Sequence, residues 1–323
     1  MIFAVWVPLL MPLLAVPTAR RLAESLPPRA AAWLLAGCAA ALAACTAAAL
    51  GLLTVAGALR LPPVAAFGHL ERGLPGADAA VTVPAAPVAG ALLACCALAV
   101  ARRALRHRAE LRAARRTADA HGLAGDLCVL PDAEPDAYAL PGRPGRPGRV
   151  VVTAGMLRAL PPAEREALFA HERAHLVGRH HLFLLTVALA AACHPLLRGL
   201  KAPLAYALER WADESAASRV GDRQVTARAI GRAALAARTH TAAVPRPSTA
   251  LAATSGPVPR RVAALLTPDR PADRPRGRAV PGGRRLIAAA LLACVAFSAA
   301  GAVDAAADLH QTVESAQGEQ PGR

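Results

Sequence analysis

The sequence predicts a mainly α membrane protein in which about four transmembrane helices carry a cytoplasmic α+β domain. Three observations predict it. Hydrophobic residues make up 55% of the 323-residue chain while aromatics make up 3%, a balance that suits Ala/Leu/Val membrane helices better than a large soluble core. The formal charge of +15 is almost wholly arginine, Lys201 being the only lysine, and the arginines cluster beside apolar runs. Such clusters belong to cytoplasmic loops flanking membrane spans, so no direct nucleic-acid partner is expected. Finally, His171-Glu172-Arg173-Ala174-His175 lies inside a run with helical patterning. The Ala-, Gly-, Pro- and Arg-rich composition points to a GC-rich bacterial genome, and hence to a bacterial cell membrane.

Ile2 to Val16 is apolar, contains Pro8 and Pro12, and lacks a preceding positive charge. It reads as a short first span rather than a signal peptide. The loop Thr18 to Arg29 carries Arg20, Arg21 and Arg29 and is placed in the cytoplasm. Ala30 to Leu59 has no charged residue, more than the ~20 residues a span needs. The following loop, with Arg60, Glu71, Arg72 and Asp78, is charge-balanced and placed outside. Val83 to Val100 is the third span. Arg102, Arg103, Arg106, Arg108, Arg112, Arg115 and Arg116 follow it and pin what comes next to the cytoplasm; the same run is helix-compatible and suits anionic headgroups. The seven cysteines form no CxxC pair and read as small apolar fillers.

Downstream, Leu127-Cys128-Val129-Leu130 reads as a short strand and Arg149-Val150-Val151-Val152-Thr153 as a clear one. Between them the repeated Pro-Gly-Arg of residues 141–148 reads as a turn-rich insert without packing of its own, and the two strands as a hairpin. Pro161 and Pro162 then start the helix that carries His171, with Glu164 and Glu166 at its positive end. Leu182 to Leu208 reads as a buried or membrane-dipping helical pair turned near His194-Pro195. Residues 245–283 are linker-like, with Arg270, Arg274, Arg276 and Arg278 on the cytoplasmic side. Leu286 to Val303 is the last span.

On a helix, His171 and His175 share one face and can present two imidazoles to one metal ion, with Glu172 able to reach a water on it. A catalytic zinc takes three protein ligands and leaves a position open. Glu209, 34 residues past His175, is the expected third ligand, with Glu214 as rival. Asp213, four residues after Glu209, is expected to accept a hydrogen bond from a ligand imidazole. The chemistry expected is peptide-bond hydrolysis, with one zinc ion as cofactor, Glu172 as base, and the strand Val150, Val151, Val152 and Thr153 pairing with an extended substrate. His180 and His181 read as partners of the helix C-terminus or of headgroups, His69, His107, His121 and His310 as solvated loop residues, and Trp211 as core or membrane interface. No context singles out His240.

These stretches match a known pattern. Tyr138-Ala139-Leu140-Pro141-Gly142, Val150-Val151-Val152-Thr153-Ala154-Gly155, His171 to His175, and Glu209-x-x-Ala-Asp213 together resemble the gluzincin metallopeptidase core. The HtpX and CAAX-prenyl-protease group shares that core with the BlaR/MecR-type membrane peptidases. The resemblance implies His171, His175 and Glu209 as zinc ligands and Glu172 as catalytic base. Three spans, a cytoplasmic zinc domain and a last span resemble the BlaR/MecR type, which implies a protein or peptide substrate, including a cytoplasmic winged-helix repressor. The tail after the last span is short, which implies a member without an extracellular penicillin-binding sensor domain. Where the HtpX-like group has a His-Pro element before a downstream Arg, this chain has Ser255-Gly256-Pro257-Val258-Pro259-Arg260-Arg261, without the His. The alternatives are an HtpX-like quality-control protease and a non-catalytic basic membrane protein. The expected organisation is three transmembrane helices over 1–108, the zinc metallopeptidase domain over 109–244, a Pro/Arg-rich linker over 245–285, the last transmembrane helix over 286–303 and a short outside tail over 304–323.

Overall fold

A computed structural model describes residues 2–67, 79–121, 123–238, 257–267 and 281–318, with residues 247 and 249. The expected outer-loop charges Glu71, Arg72 and Asp78, most of the linker with its four arginines, His69, His240 and the last residues of the tail lie outside the described residues.

Helix α1 (Ile2–Ser25) runs past the expected end of the first span and takes in Arg20 and Arg21. The reason is a stripe at helical spacing: Ala15, Ala19 and Leu22 are all fully buried, so the helix must continue to bury them. Helix α2 (Pro28–Ala58) follows almost at once, with proline in its first turn, and a short α3 (Pro62–Phe67) follows that. Helix α4 (Ala79–Asp119) is one 41-residue helix, roughly 60 Å long at the standard rise and about twice the hydrocarbon thickness. The helix is therefore longer than one span needs, and its arginine-rich end is the surplus. Leu111, Ala114 and Ala118 on that end pack onto the sheet rather than along headgroups. His107 also sits on this helix, buried and 3.1 Å from Thr249 Oγ1, not in a solvated loop.

The sheet has four strands, β1 (Leu123–Ala124), β2 (Leu127–Leu130), β3 (Ala137–Leu140) and β4 (Arg149–Thr153), in the order β1-β2-β4-β3. Strands β2 and β4 are parallel and β3 and β4 antiparallel. Two expectations are thereby corrected. The hairpin joins β3 to β4, not β2 to β4. And β4 is an interior strand: both of its hydrogen-bonding rows are committed to neighbours, so Val150, Val151, Val152 and Thr153 have no free edge for a substrate. The Pro-Gly-Arg insert closes the hairpin, with paired backbone bonds between Arg143 and Arg146 (3.0 and 2.8 Å). The turn takes Pro144 and then Gly145 at φ +76°, the positive angle this type of turn asks of its third residue. The insert is also held from outside, because Arg115 donates to the carbonyls of Pro141 and Gly142.

The strands alternate faces with period two. Ala137, Val150 and Val152 face one cluster with Met156, Leu168 and Phe169. Cys128, Tyr138 and Val151 face the other, against α4. After β4 come α5 (Ala154–Ala159), α6 (Pro162–Val177), α7 (His180–Cys193), a 3-10 turn (Pro195–Leu200), α8 (Lys201–Val220), α9 (Arg223–Arg238), α10 (Val258–Leu266) and α11 (Pro281–Gly318).

Among the described residues, the helices long and apolar enough to cross a membrane are Pro28–Ala58, Thr82–Asp119 and Arg285–Glu314; the bent pair α6 and α7, which meet at 56°, adds a fourth only if taken as one span. Helix α1 is not among them. Large apolar side chains such as Leu92, Leu98, Leu292, Phe297 and Val303 point outward, as lipid-facing residues do. Packing runs across the expected boundary near residue 108. One core joins Leu22 of α1, Leu35 and Leu42 of α2, Phe183 and Val187 of α7, Leu204 of α8 and Leu291 of α11.

The join between β4 and α5 is tight. Thr153 Oγ1 accepts from the backbone N–H of Asp136 (2.9 Å) and of Met156 (3.2 Å) and lies 2.7 Å from the Glu134 carbonyl. A Cβ on Gly155 would collide with the Ala133 carbonyl. Thr153→Val should cost about 1–2 kcal/mol through the lost cap. Gly155→Ala should cost about 1–3 kcal/mol through overpacking. Thermal unfolding of the detergent-solubilised protein measures both; unchanged midpoints would contradict this reading of the turn.

Candidate metal centre

Helix α6 starts at a proline pair, with Pro161 extended and Pro162 in the first turn. It then buries Leu168 and Phe169 on the sheet. That contact fixes the helix's rotation, and with it the direction of His171 and His175 one turn further on. Both histidines and Glu172 are buried. The outer side of α6 is tied to the β1–β2 turn by a two-pronged Arg173–Asp126 pair, both contacts 2.7 Å. The Arg173 guanidinium holds the Asp126 carboxyl below the usual carboxylate range.

The chain must then return to offer a third group. Gly178 ends α6, Arg179 takes a left-handed conformation at φ 50°, and α7 leaves at the bend. After His194 the 3-10 turn reverses the chain into α8, which lies against α6 and brings Glu209 to the histidine pair. His171 Nε2 lies 3.1 Å from His175 Nε2 and 3.5 Å from Glu209 Oε2, and His175 Nε2 lies 3.8 Å from Glu209 Oε1. One donor atom from each of the three residues fits within 4.8 Å of the others. Ligand atoms at the corners of a tetrahedral zinc site stand about 3.4 Å apart, given bonds near 2.1 Å. The two imidazoles and one carboxylate thus fit such an ion in donor type and spacing.

Asp213, one turn after Glu209, places Oδ1 3.0 Å from His171 Nδ1, the far side of the ring from the cluster. Glu214, the rival ligand, is turned away and bound to Arg223 at 2.6 and 3.1 Å. His180 differs from expectation. It is buried, its Nδ1 is 2.6 Å from His175 Nδ1, and a Cβ on Gly178 would run into its ring. Trp211 packs against the His180 ring with centroids 4.6 Å apart and, on another side, under the Arg29 guanidinium at 5.4 Å.

Arg261, on α10, was not anticipated as a site residue. It is fully buried and grips both acidic groups of α8: Nε and Nη2 lie 2.8 and 2.7 Å from the Asp213 carboxylate, and Nη1 lies 2.7 Å from Glu209 Oε2. Burial alone would raise the Asp213 pKa, but Arg261 and His171 outweigh it and hold the carboxyl below its usual range. Burial likewise works against the Arg261 charge, and Glu209 and Asp213 overcome it and raise its pKa. In the metal-free protein burial would push the His171 imidazole down, yet the Asp213 and Glu209 carboxylates raise its pKa to about 9.

The sequence signal for Arg261 was an arginine four residues before Leu265, both buried on one face of α10. A charge on an apolar helix face asks for a partner.

The family model for Peptidase family M48 matches residues 102–269, more than half of the chain, and spans the sheet, α6, α8 and Arg261. No curated protein and no solved structure matches the chain. The sheet, the histidine helix and the returning carboxylate helix all lie within the matched residues, and the chain belongs to peptidase family M48, a family of metallopeptidases.

Proposed function

We propose that this protein is an integral-membrane zinc endopeptidase of BlaR/MecR type that cuts a cytoplasmic winged-helix repressor. The observation that carries the peptidase reading is the buried His171, His175 and Glu209 cluster with Glu172 on the same helix. The order of apolar helices, zinc domain and last apolar helix supports the BlaR/MecR assignment, and the arginine run on α4 supports a cytoplasmic site.

In this reading His171 Nε2, His175 Nε2 and a Glu209 oxygen would hold the ion. When bound, zinc supplies Lewis acidity and lowers the pKa of a water at its open position. The protein's own residues do the rest. Glu172 takes the proton of the attacking water and passes it to the leaving amine. Asp213 accepts a hydrogen bond from His171 Nδ1–H and fixes the ring's tautomer, as His180 does for His175. Arg261 is a positioning residue: it sets the orientation of Glu209 and Asp213 and compensates their charge. Among the described residues no strand pairs with the outer side of β3, whose Ala139 shares a small cavity with His175 and His180, and that side offers backbone pairing to an extended peptide. The buried Arg261 after Pro257 is the observation that favours the second reading, an HtpX-like quality-control protease, despite the missing His.

Inverted membrane vesicles, whose cytoplasmic face is outward, should cleave an added winged-helix repressor. Glu172→Gln should keep zinc and lower that cleavage by at least about a hundredfold, at the lower end of what general acid–base catalysis contributes. Cleavage that persists in Glu172→Gln would contradict the assignment of the base. Equal cleavage of an unfolded membrane protein would favour the second reading, and activity confined to right-side-out vesicles would contradict the cytoplasmic placement.

Zinc uptake should also displace a proton. Because the metal-free His171 pKa is raised to about 9, above its unfolded value near 6.5, the ring is protonated at pH 7 and its charge stabilises the metal-free fold below pH 6.5. That contribution is lost as the pH rises through 9. Zinc binding at pH 7, followed by calorimetry in buffers of different ionisation enthalpy, should release about one proton per ion. Release of none would contradict the coupling of His171 to the two carboxylates.

A further inference from the structure

Between α2, the end of α6, the start of α7 and the end of α8 lies a cavity of about 1070 Å³, which the peptide chemistry above does not use. On α6 its lining residues are Ala170, Arg173, Ala174, Leu176 and Val177, most of them on the side of the helix turned away from Glu172. The lining is cationic. Arg29, Arg179 and Arg219 line it and are exposed, and Arg29 lies over the Trp211 ring. The lining's single carboxylate, Asp126, is taken by Arg173.

The groove changes character along two helices at once. From Arg29, α2 continues through Trp33, Gly37 and Ala40; from Arg179, α7 continues through Leu182, Phe183 and Thr186. Trp33 and Phe183 meet edge to face with centroids 4.8 Å apart. Trp33 is 61% and Val177 86% exposed, large apolar surface left open beside a positive rim. Because α2 carries its arginine at the end where it would enter the bilayer, the rim sits at headgroup level and the apolar channel at acyl-chain level.

We propose that this groove seats one anionic phospholipid, its phosphate held by Arg29, Arg179 and Arg219 and an acyl chain lying along Trp33, Gly37, Leu182 and Phe183. The charge selects the occupant, since a zwitterionic headgroup would bring its own ammonium in among three guanidiniums. The proposal rests on the reading of α2 as a membrane span.

The test is native mass spectrometry of the full-length, zinc-loaded protein released from mixed micelles holding equal amounts of phosphatidylglycerol and phosphatidylcholine. The wild type should retain one phosphatidylglycerol in preference to phosphatidylcholine. Replacing Arg29, Arg179 and Arg219 together with Gln should weaken that retention by roughly a hundredfold, since each cation near an anionic headgroup is worth about a factor of five. Gly37→Leu should abolish retention of the lipid by filling the channel; a Cβ at position 37 meets nothing within 4 Å, so the branched side chain can extend into the groove and the fold and zinc content should stay intact. Equal retention of the two lipids, or retention unchanged in both variants, would overturn the proposal. A slower peptide cleavage in Gly37→Leu with lipid retention unchanged would assign the groove to substrate and overturn it too. Carbonate washing of membranes separates the two levels of failure: a protein that washes off sinks the membrane reading, while one that stays but shows no lipid preference sinks only the seat.

Discussion

Four ionisable side chains, His171, Glu209, Asp213 and Arg261, are buried against one another, and the rest of the structure answers to that fact. Taking a charge out of water costs several kcal/mol unless close partners replace the solvent. Here Arg261 spends its guanidinium on two carboxylates at once. Asp213 spends its second contact on His171, and Glu209 faces both histidines. The network ties α6, α8 and α10 together across more than ninety residues of chain. Removing any one member strands the others, so it acts as a unit.

That unit sits at the seam between two cores. On one side α6 lies on the sheet through Leu168 and Phe169. On the other α8 shares a core with α1, α2, α7 and α11 through Leu204 and Leu208. The returning carboxylate is thus delivered by a helix packed among apolar helices, and the histidines by a helix packed on a soluble-type sheet. A disturbance in either core reaches the ligand geometry directly, a reason for α7 to be anchored between α2 and α4 rather than left as a loop.

Much of this was legible in the sequence because the information was local. The four-residue spacings of His171 to His175 and Glu209 to Asp213 encode shared helix faces, and the proline pair marks where α6 begins. What was missed depended on distant or conformational events. His180 comes five residues after His175, a spacing that a continuous helix would turn away; only the left-handed Arg179 and the close approach allowed by Gly178 bring the rings together. Four-residue strands carry no pairing order, so the β3–β4 hairpin was misread. The unbroken Val150-Val151-Val152 run did hold the clue that β4 is covered on both faces. Arg261 lies 48 residues beyond Asp213, past a Pro- and Thr-rich stretch with no periodic signal; its place on the apolar face of α10 and the downstream Arg of the HtpX-like pattern hint at it, but neither names its partners.

The central claim is that one ion is held by two imidazoles from α6 and one carboxylate from α8. X-ray absorption at the zinc edge of the purified, zinc-loaded protein tests it most directly. The account predicts one zinc per chain, nitrogen and oxygen neighbours at about 2.0–2.2 Å, back-scattering from two imidazole rings, and loss of that signature in Glu209→Ala. Sulfur neighbours near 2.3 Å, fewer than two imidazoles, or a signature unchanged in Glu209→Ala would contradict it.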